Sequence, residues 1–423
     1  MTGAHLHGSA QHDDPPPASP HVRHLVVAVL VPLILATVAG LIMLWPSGEQ
    51  PSVDAGVRTD ATILSIEPCP DAATAPQAGH DHGGQGQQGS QQCYEAGVRV
   101  DSGPDEGVET TVPLPFGAGA PEFSVGDEVV LGALPDAPLD SRYEVLDFQR
   151  SGSLIWLGAL FAVAVVVLSG WKGLAALGGL LVSLGVLVVF VLPALLTGGD
   201  PLPVAVVGAS VIMIVTLYLA HGVSVRTSIA LIGTLVSLTL TGVLGTLFTS
   251  LAHFTGLVDH AASYLGTVDT DIDLRGLLLA GLVIGALGVL DDVTMTQSAA
   301  VWELAAADPA ASRRSLFGAG LRIGREHVAA TVNTLVLAYV GASLPLLMMF
   351  SVAGQGVTDA ITTEAVAQEI VRALVGGLGI IAAVPVTTGL AVVAVRSKGH
   401  RPAGRRAGRQ AQPSAARTPA AAD

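Results

Sequence analysis

The sequence predicts a polytopic α-helical membrane protein, with about eight transmembrane helices and a small extracytoplasmic β-barrel-like (OB-like) domain. Two observations carry this. Half of the 423 residues are hydrophobic and only 13% are charged, too apolar a balance for an ordinary soluble chain of this length. Apolar stretches of span length also recur, at 25–45, 153–170, 173–196, 202–220, 227–254, 276–295, 331–353 and 373–395.

Taken in order, residues 1–24 are polar, with His5, His7, His12, His21, His24 and the run Pro15 to Pro17, and read as a disordered cytoplasmic tail. The stretch 25–45 reads as an uncleaved N-terminal anchor: its 21 residues exceed a signal-peptide core, and no Ala-x-Ala cleavage site follows Trp45. Residues 46–150 are long enough for one small domain. They carry five β-rich runs, at 57–66, 94–100, 108–114, 128–131 and 142–148, with Gly126-Asp127 as a turn signal before the fourth. Five short strands with Gly-rich connections suit a small barrel.

Both cysteines, Cys69 and Cys93, lie in this domain, on the side expected to be oxidising, so a disulfide closing a loop of about 25 residues is expected. The enclosed insert, 70–92, is rich in Gly and Gln and holds His80, Asp81 and His82. These are metal-ligand types, but two imidazoles on a low-complexity loop bind weakly, and a tolerated insertion is the plainer reading. Residues 151–395 then form a seven-helix membrane domain, and 396–423 a basic, disordered cytoplasmic tail. Asp308-Pro309 reads as the start of an interfacial helix that places Arg314, Arg322 and Arg325 near lipid headgroups.

Charge placement orients the chain. With the N-terminus inside, only Arg58, Arg99, Arg142, Arg150, Arg275 and Arg372 of the 20 basic residues fall outside, as basic cytoplasmic loops require. Both termini are therefore expected in the cytoplasm. The net charge of −14 then sits mainly on the outer surface, and nucleic-acid binding is not suggested. Two Lys against 18 Arg, amid abundant Ala and Gly, point to a GC-rich bacterial genome and hence a bacterial plasma membrane.

The chemistry concentrates at Asp291 and Asp292, adjacent carboxylates inside the apolar stretch 276–295. A carboxylate at such depth costs about 2.5 to 3.5 kcal/mol and normally faces protein, water or an ion. Gly281, Gly285, Gly288 and Asp292 follow at helical spacings and share one face. Small residues favour close helix approach, so Asp292 is expected to point into the packed interior, with Asp291 turned by about 100°. Asn333 and Thr334 lie at similar depth in the next span, within the stripe Thr331, Thr334, Ala338 and Gly341, and Arg325 precedes it. An Asp292–Arg325 pair is expected. A structural clasp between helices is the competing reading. Pro345 and Pro385 each interrupt an apolar span and free a backbone carbonyl there.

The run Gly285-Ala-Leu-Gly-Val-Leu-Asp-Asp-Val-Thr-Met-Thr-Gln-Ser298, then Ile323-Gly-Arg-Glu-His327, then Thr331-Val-Asn-Thr-Leu-Val-Leu-Ala-Tyr339 onward to Pro345, resembles bacterial YibE/F proteins. The resemblance extends from Val125-Gly-Asp127 and Asp147-Phe-Gln-Arg150 to the Pro385-Val-Thr-Thr388 of the last span. It implies a multi-span body with an extracytoplasmic N-terminal domain, places the family's motif aspartate on Asp292 and its Asn-Thr pair on Asn333 and Thr334, and brings no settled activity. Gly324-Arg325-Glu326 departs from the Gly-Arg-Asp of many members, and the His-rich insert is outside the pattern.

The leading functional expectation is a secondary transporter or permease in which Asp292 binds a cation or proton, supported by Asn333 and Arg325. The expected partners are the lipid bilayer and an unidentified small solute or ion, with a homo-oligomer left open; no cofactor is expected. Alternatives are an enzyme holding Mg²⁺ against a lipid-linked diphosphate at Asp291-Asp292, and an envelope scaffold with structural aspartates. An intramembrane aspartyl protease needs carboxylates on two spans, and only one has them. No phosphate-cradling Gly-Lys-Ser/Thr loop, His-Glu-x-x-His motif or nucleophile elbow is present, so ATP-fuelled transport by this chain alone is not expected.

Overall fold

The computed structural model describes residues 20–48, 57–69, 93–115, 117, 119–134, 137–257, 273–354 and 356–395. The chain divides into two compact units, 49–177 and the remainder.

In the first unit, strands β1 (Val57–Pro68), β2 (Tyr94–Val100), β3 (Glu109–Pro113), β4 (Glu128–Ala133) and β5 (Tyr143–Phe148) form one antiparallel sheet in the order β3-β2-β1-β4-β5. A four-residue helix, α2 (Leu139–Arg142), leads into β5. Alternation decides the inner face: Ala61 and Ile63, Ala96, Val98 and Val100, Val129 and Leu131, and Tyr143 and Val145 are buried together while their neighbours face outward. The expected turn before β4 forms, with Gly126 at φ 96 and the Asp127 carboxylate accepting from the Ser124 N–H at 2.8 Å. The β-barrel-like (OB-like) closure expected of it is not seen. Among the described residues β3 and β5 are edge strands with no ladder between them, so the sheet is open.

Two ties span the sheet's connections. Cys69 and Cys93, directly after β1 and before β2, form a disulfide with a Cα–Cα distance of 5.4 Å. The Asp105 carboxylate accepts from Tyr143 Oη at 2.6 Å and from Arg142 Nη1 at 2.7 Å, fastening the β2–β3 connection to β5. Those two bonds, Tyr143's first, hold the Asp105 carboxyl below its ordinary value. The insert bearing His80, Asp81 and His82 lies outside the described residues.

The helices are α1 (Pro20–Met43), α3 (Ser151–Val186), α4 (Leu192–Leu196), α5 (Pro201–His221), α6 (Val225–Leu251), α7 (Leu274–Ala307), α8 (Arg313–Ala342), α9 (Leu344–Val352), α10 (Val357–Thr362) and α11 (Glu364–Ala394), with a π-helical turn at Leu187–Val191 joining α3 to α4. Among the described residues, six helical stretches are long and apolar enough to cross a membrane, or seven if the bent pair α8–α9 is one span. The stretches expected at 153–170 and 173–196 lie in one helical run of 46 residues, Ser151–Leu196. Straight, it would measure about 69 Å, over twice a hydrocarbon core. It is broken at Gly170, whose φ 58 and ψ −134 are non-helical and accessible to glycine.

A second correction concerns the interfacial helix. Asp308 closes α7, donating its N–H to the Leu304 carbonyl, and the cap of α8 is Ser312, which accepts from the Ser315 N–H at 3.2 Å. The arginine-bearing segment and the seventh span are therefore one continuous helix, ended by a 53° bend just ahead of Pro345. Pro385, by contrast, lies inside an unbroken α11.

α6, α7 and α11 pack around a shared core, α5 and α8 flank it, and α1 lies against α5 and α6. Glycine notches set the closest approach. A methyl group on Gly233 of α6 would collide with Thr387 Oγ1 of α11, and one on Gly379 of α11 would collide with Thr241 Oγ1 of α6. The exchange is reciprocal because the helices run antiparallel. Near one end, the Glu364 carboxylate accepts from the Thr255 and Gly256 N–H groups at 2.6 and 2.8 Å, and Arg275 donates to Ser250 Oγ at 2.8 Å. At the other, Ser298 Oγ donates to the Arg226 carbonyl at 3.0 Å.

Candidate functional site

α7 has two polar faces, and they differ in what they meet. On one lie Asp291, Thr294 and Ser298, with Gln297 beside them. Thr294 Oγ1 shares a 2.5 Å hydrogen bond with Thr234 Oγ1 of α6, and Gln297 Nε2 donates to the Gly320 carbonyl of α8 and to Thr388 Oγ1 of α11. Thr294, Gln297 and Ser298 are fully buried, and Asp291 is half-buried, with an enclosed Oδ1 that has no hydrogen-bond partner. On the other face lie Gly281, Gly285, Gly288 and Asp292, all exposed.

The expected burial of Asp292 is thus reversed. Its side chain is 71% exposed, and Asp291 is the more enclosed carboxylate. Helical spacing correctly placed the three glycines and Asp292 on one face, but small residues are compatible with a tight helix contact and equally with an open furrow. Hydroxyl and amide groups discriminate better, because a buried one must find a partner. Thr294, Gln297 and Ser298 mark the packed side.

The open face of α7 looks across to α8. Asp292 Oδ2 lies 3.7 Å from His327 Nε2, a contact that is an ion pair only when the imidazole is protonated. From His327 the same face of α8 continues through Thr331, Thr334, Ala338 and Gly341 at spacings of 4, 3, 4 and 3. Gly281, Gly288 and Gly341 have open space where a side chain would stand, and a methyl on Gly285 would be 3.3 Å from Tyr339 Oη. The result is an exposed small-residue face on α7 that ends in a carboxylate opposed by an imidazole of α8.

Arg325 is exposed on α8 and makes no ion pair among the described residues, so the expected Asp292–Arg325 pair is replaced by Asp292–His327. Asn333 and Thr334 are also exposed; Thr334 Oγ1 donates to the Ala330 carbonyl of its own helix at 3.0 Å, and no hydrogen bond joins either residue to an aspartate. Sequence reasoning missed His327 as a site residue. Extending the Thr331, Thr334, Ala338, Gly341 stripe one turn back would have reached it. Gln297 was missed too, although it stands six residues beyond Asp291 in the same motif. Among the described residues no group of three or more His, Cys, Asp or Glu is arranged to hold a metal ion.

A bundle of span-length apolar helices with an acid and an imidazole facing each other from two of them suggests a multi-pass helical protein with an ionisable interhelical site. The chain belongs to the YibE/F-like protein family, whose family model matches residues 157–397, a stretch that includes the whole of α5 to α11. No curated protein and no solved structure matches it.

Proposed function

We propose that this protein is a multi-pass permease of a bacterial plasma membrane, carrying a proton or small cation between α7 and α8 past Asp292 and His327. One observation carries the reading: Asp292 is exposed midway along an apolar helix, where facing hydrocarbon would cost about 2.5 to 3.5 kcal/mol. An exposed carboxylate in that setting needs water or an ion beside it, and the open glycine face has room for either. His327 supplies a second proton-binding group in reach. Asp291, one step along the helix, adds negative charge without sharing the opening.

The basic residues Arg226, Arg313, Arg314, Arg322 and Arg325 favour a cytoplasmic position for the end where α7 turns into α8. The β unit and the Glu364 end are then extracytoplasmic, and both termini cytoplasmic. The strand order β3-β2-β1-β4-β5 is compatible with a partly open OB-like barrel serving as an accessory domain. The two aspartates point to different surroundings, one into the bundle and one onto the open face, which weakens the reading in which both grip one Mg²⁺ over a diphosphate.

The test is to measure metals, metabolites and polyprenyl lipids in cells lacking the protein, restored with wild type or Asp292→Asn at matched membrane abundance. The permease reading expects a solute that wild type changes and the variant changes about tenfold less, the scale of a site worth 1.4 kcal/mol. A changed lipid intermediate would favour an enzyme. Equal rescue by the variant would make Asp292 structural.

A further inference from the structure

We infer that Gln297 is the positioning residue that sets the register of α8 against α7 and so holds His327 opposite Asp292. This rests on the reading of those two residues as the permease site, but its geometry can be tested separately.

The side chain of Gln297 is 3% exposed, so its amide depends on protein partners. It finds them on two helices at once: Nε2 donates to the Gly320 carbonyl at 2.8 Å and to Thr388 Oγ1 at 2.6 Å. Thr388 has its own proton committed to the Val384 carbonyl, at 2.6 Å, which leaves the hydroxyl oxygen free to accept. The amide therefore bonds α7 to α8 and to α11, and among the described residues it makes the only side-chain hydrogen bond joining α8 to another helix.

The surface of α8 is cut where the amide and α11 meet it. A methyl on Gly320 would stand 2.8 Å from Thr388 Cγ2 and 3.5 Å from Gln297 Nε2, and a methyl on Gly324 would collide with Val384 Cγ1 of α11 and stand 2.9 Å from Gln297 Oε1. Gly320, Gly324 and His327 follow at spacings of 4 and 3, so the two notches and the imidazole share one row of α8.

The lengths agree on both helices. Gln297 is five residues beyond Asp292 on α7, about 7.5 Å along the axis. On antiparallel α8, His327 is five residues from the midpoint of the two notches, again about 7.5 Å. Seating the amide in the notches thereby brings His327 level with Asp292. A slip of α8 by one turn, about 5.4 Å, would unseat the amide and separate the pair.

The experiment uses the full chain in native membranes with an Asp292→Cys/His327→Cys pair and a short bis-thiosulfonate cross-linker. Thr234→Cys/Thr294→Cys, across α6 and α7, is the control pair; each pair is compared in Gln297 and Gln297→Met backgrounds. The inference expects Gln297→Met to lower cross-linking at 292/327 at least fivefold with the control pair unchanged. Unchanged cross-linking at 292/327 overturns it. If both pairs fail, Thr388→Val, which removes one partner of the amide, takes the place of Gln297→Met, and loss at both pairs there as well overturns the inference, because the amide then holds the whole bundle rather than one register. In parallel, proteoliposomes carrying Gln297→Met with all other residues native are assayed for proton flux with an enclosed pH dye. The positioning role expects the pH midpoint to move, whereas a purely structural role would scale the amplitude alone. Wild type without proton flux would count against a proton as the carried ion and leave the cross-linking result standing.

Discussion

In the β unit, the side-chain ties that join distant parts of the chain include a charged partner and lie near water: Asp105 with Arg142 and Tyr143, and Asp60 with Gln149. In the interior of the helical bundle, the joining groups are hydroxyls and one amide, and they are buried: Thr234 with Thr294, Ser298 with the Arg226 carbonyl, and Gln297 with Gly320 and Thr388, while the charged ties of Glu364 and Arg275 lie at its end. The difference follows from the backbone. A helix satisfies its own N–H and C=O groups, so helix contacts can be made by small neutral groups that cost little to desolvate. An open sheet with irregular connections has loops to fasten, and at the surface a charged pair is not penalised for its desolvation. Asp292 breaks the bundle's rule, as a charged group with no buried partner, which is what singles it out.

The largest expected effect sharpens the β side of this contrast. Replacing Cys69 and Cys93 by Ser should destabilise the β unit by on the order of 3 kcal/mol, because the disulfide limits the freedom of the unfolded chain. Hydrogen exchange of β1 and β2 in the full-length protein reads it, and exchange in α6 and α11 should be unaltered; parallel loss there would erase the distinction between the units. A smaller effect addresses the bundle. Gly379→Val places a side chain against Thr241 and should cost about 2 kcal/mol by overpacking, seen as a lower detergent melting temperature. Gly281→Val, on the open face of α7, faces nothing within 4 Å and should leave that temperature nearly unchanged. The smallest effect is pH-dependent. Asp105 has a folded value below its ordinary one, so its contribution is present above about pH 3.9 and is lost as pH falls through the depressed value. Exchange in β5 should rise over that acid window in wild type, and Asp105→Asn should flatten the rise.

The strands were legible because alternation at positions such as Ala96, Val98 and Val100 is a local signal, and the structure keeps those runs to within about two residues. Whether the sheet closes depends on how β3 and β5 meet, and no local pattern encodes it. In the bundle, the apolar stretches were plain, but their boundaries depended on single residues. The break at Gly170 falls where the sequence ends one apolar stretch, but Ser312 rather than Asp308 starts α8. The acid pair was visible as charge in an apolar run. Which carboxylate lies on the open face was not, because the three glycines fit both outcomes. His327 escaped notice for a similar reason: an imidazole at the start of a span reads as an ordinary boundary residue until its opposite number is known.

The reciprocal seats of Thr387 on Gly233 and Thr241 on Gly379 have a mechanical consequence. They lie eight residues apart on each helix, about 12 Å along the axes. Two pins that far apart immobilise a plate, whereas a single pin leaves it free to turn. α6 and α11 are doubly pinned and form the chassis of the bundle. α8 lies along that chassis, with Phe317, Gly324, Val332 and Leu335 against Gly389, Val384, Gly377 and Gly376 of α11, so contacts spread over several turns, the Gln297 amide among them, fix its place.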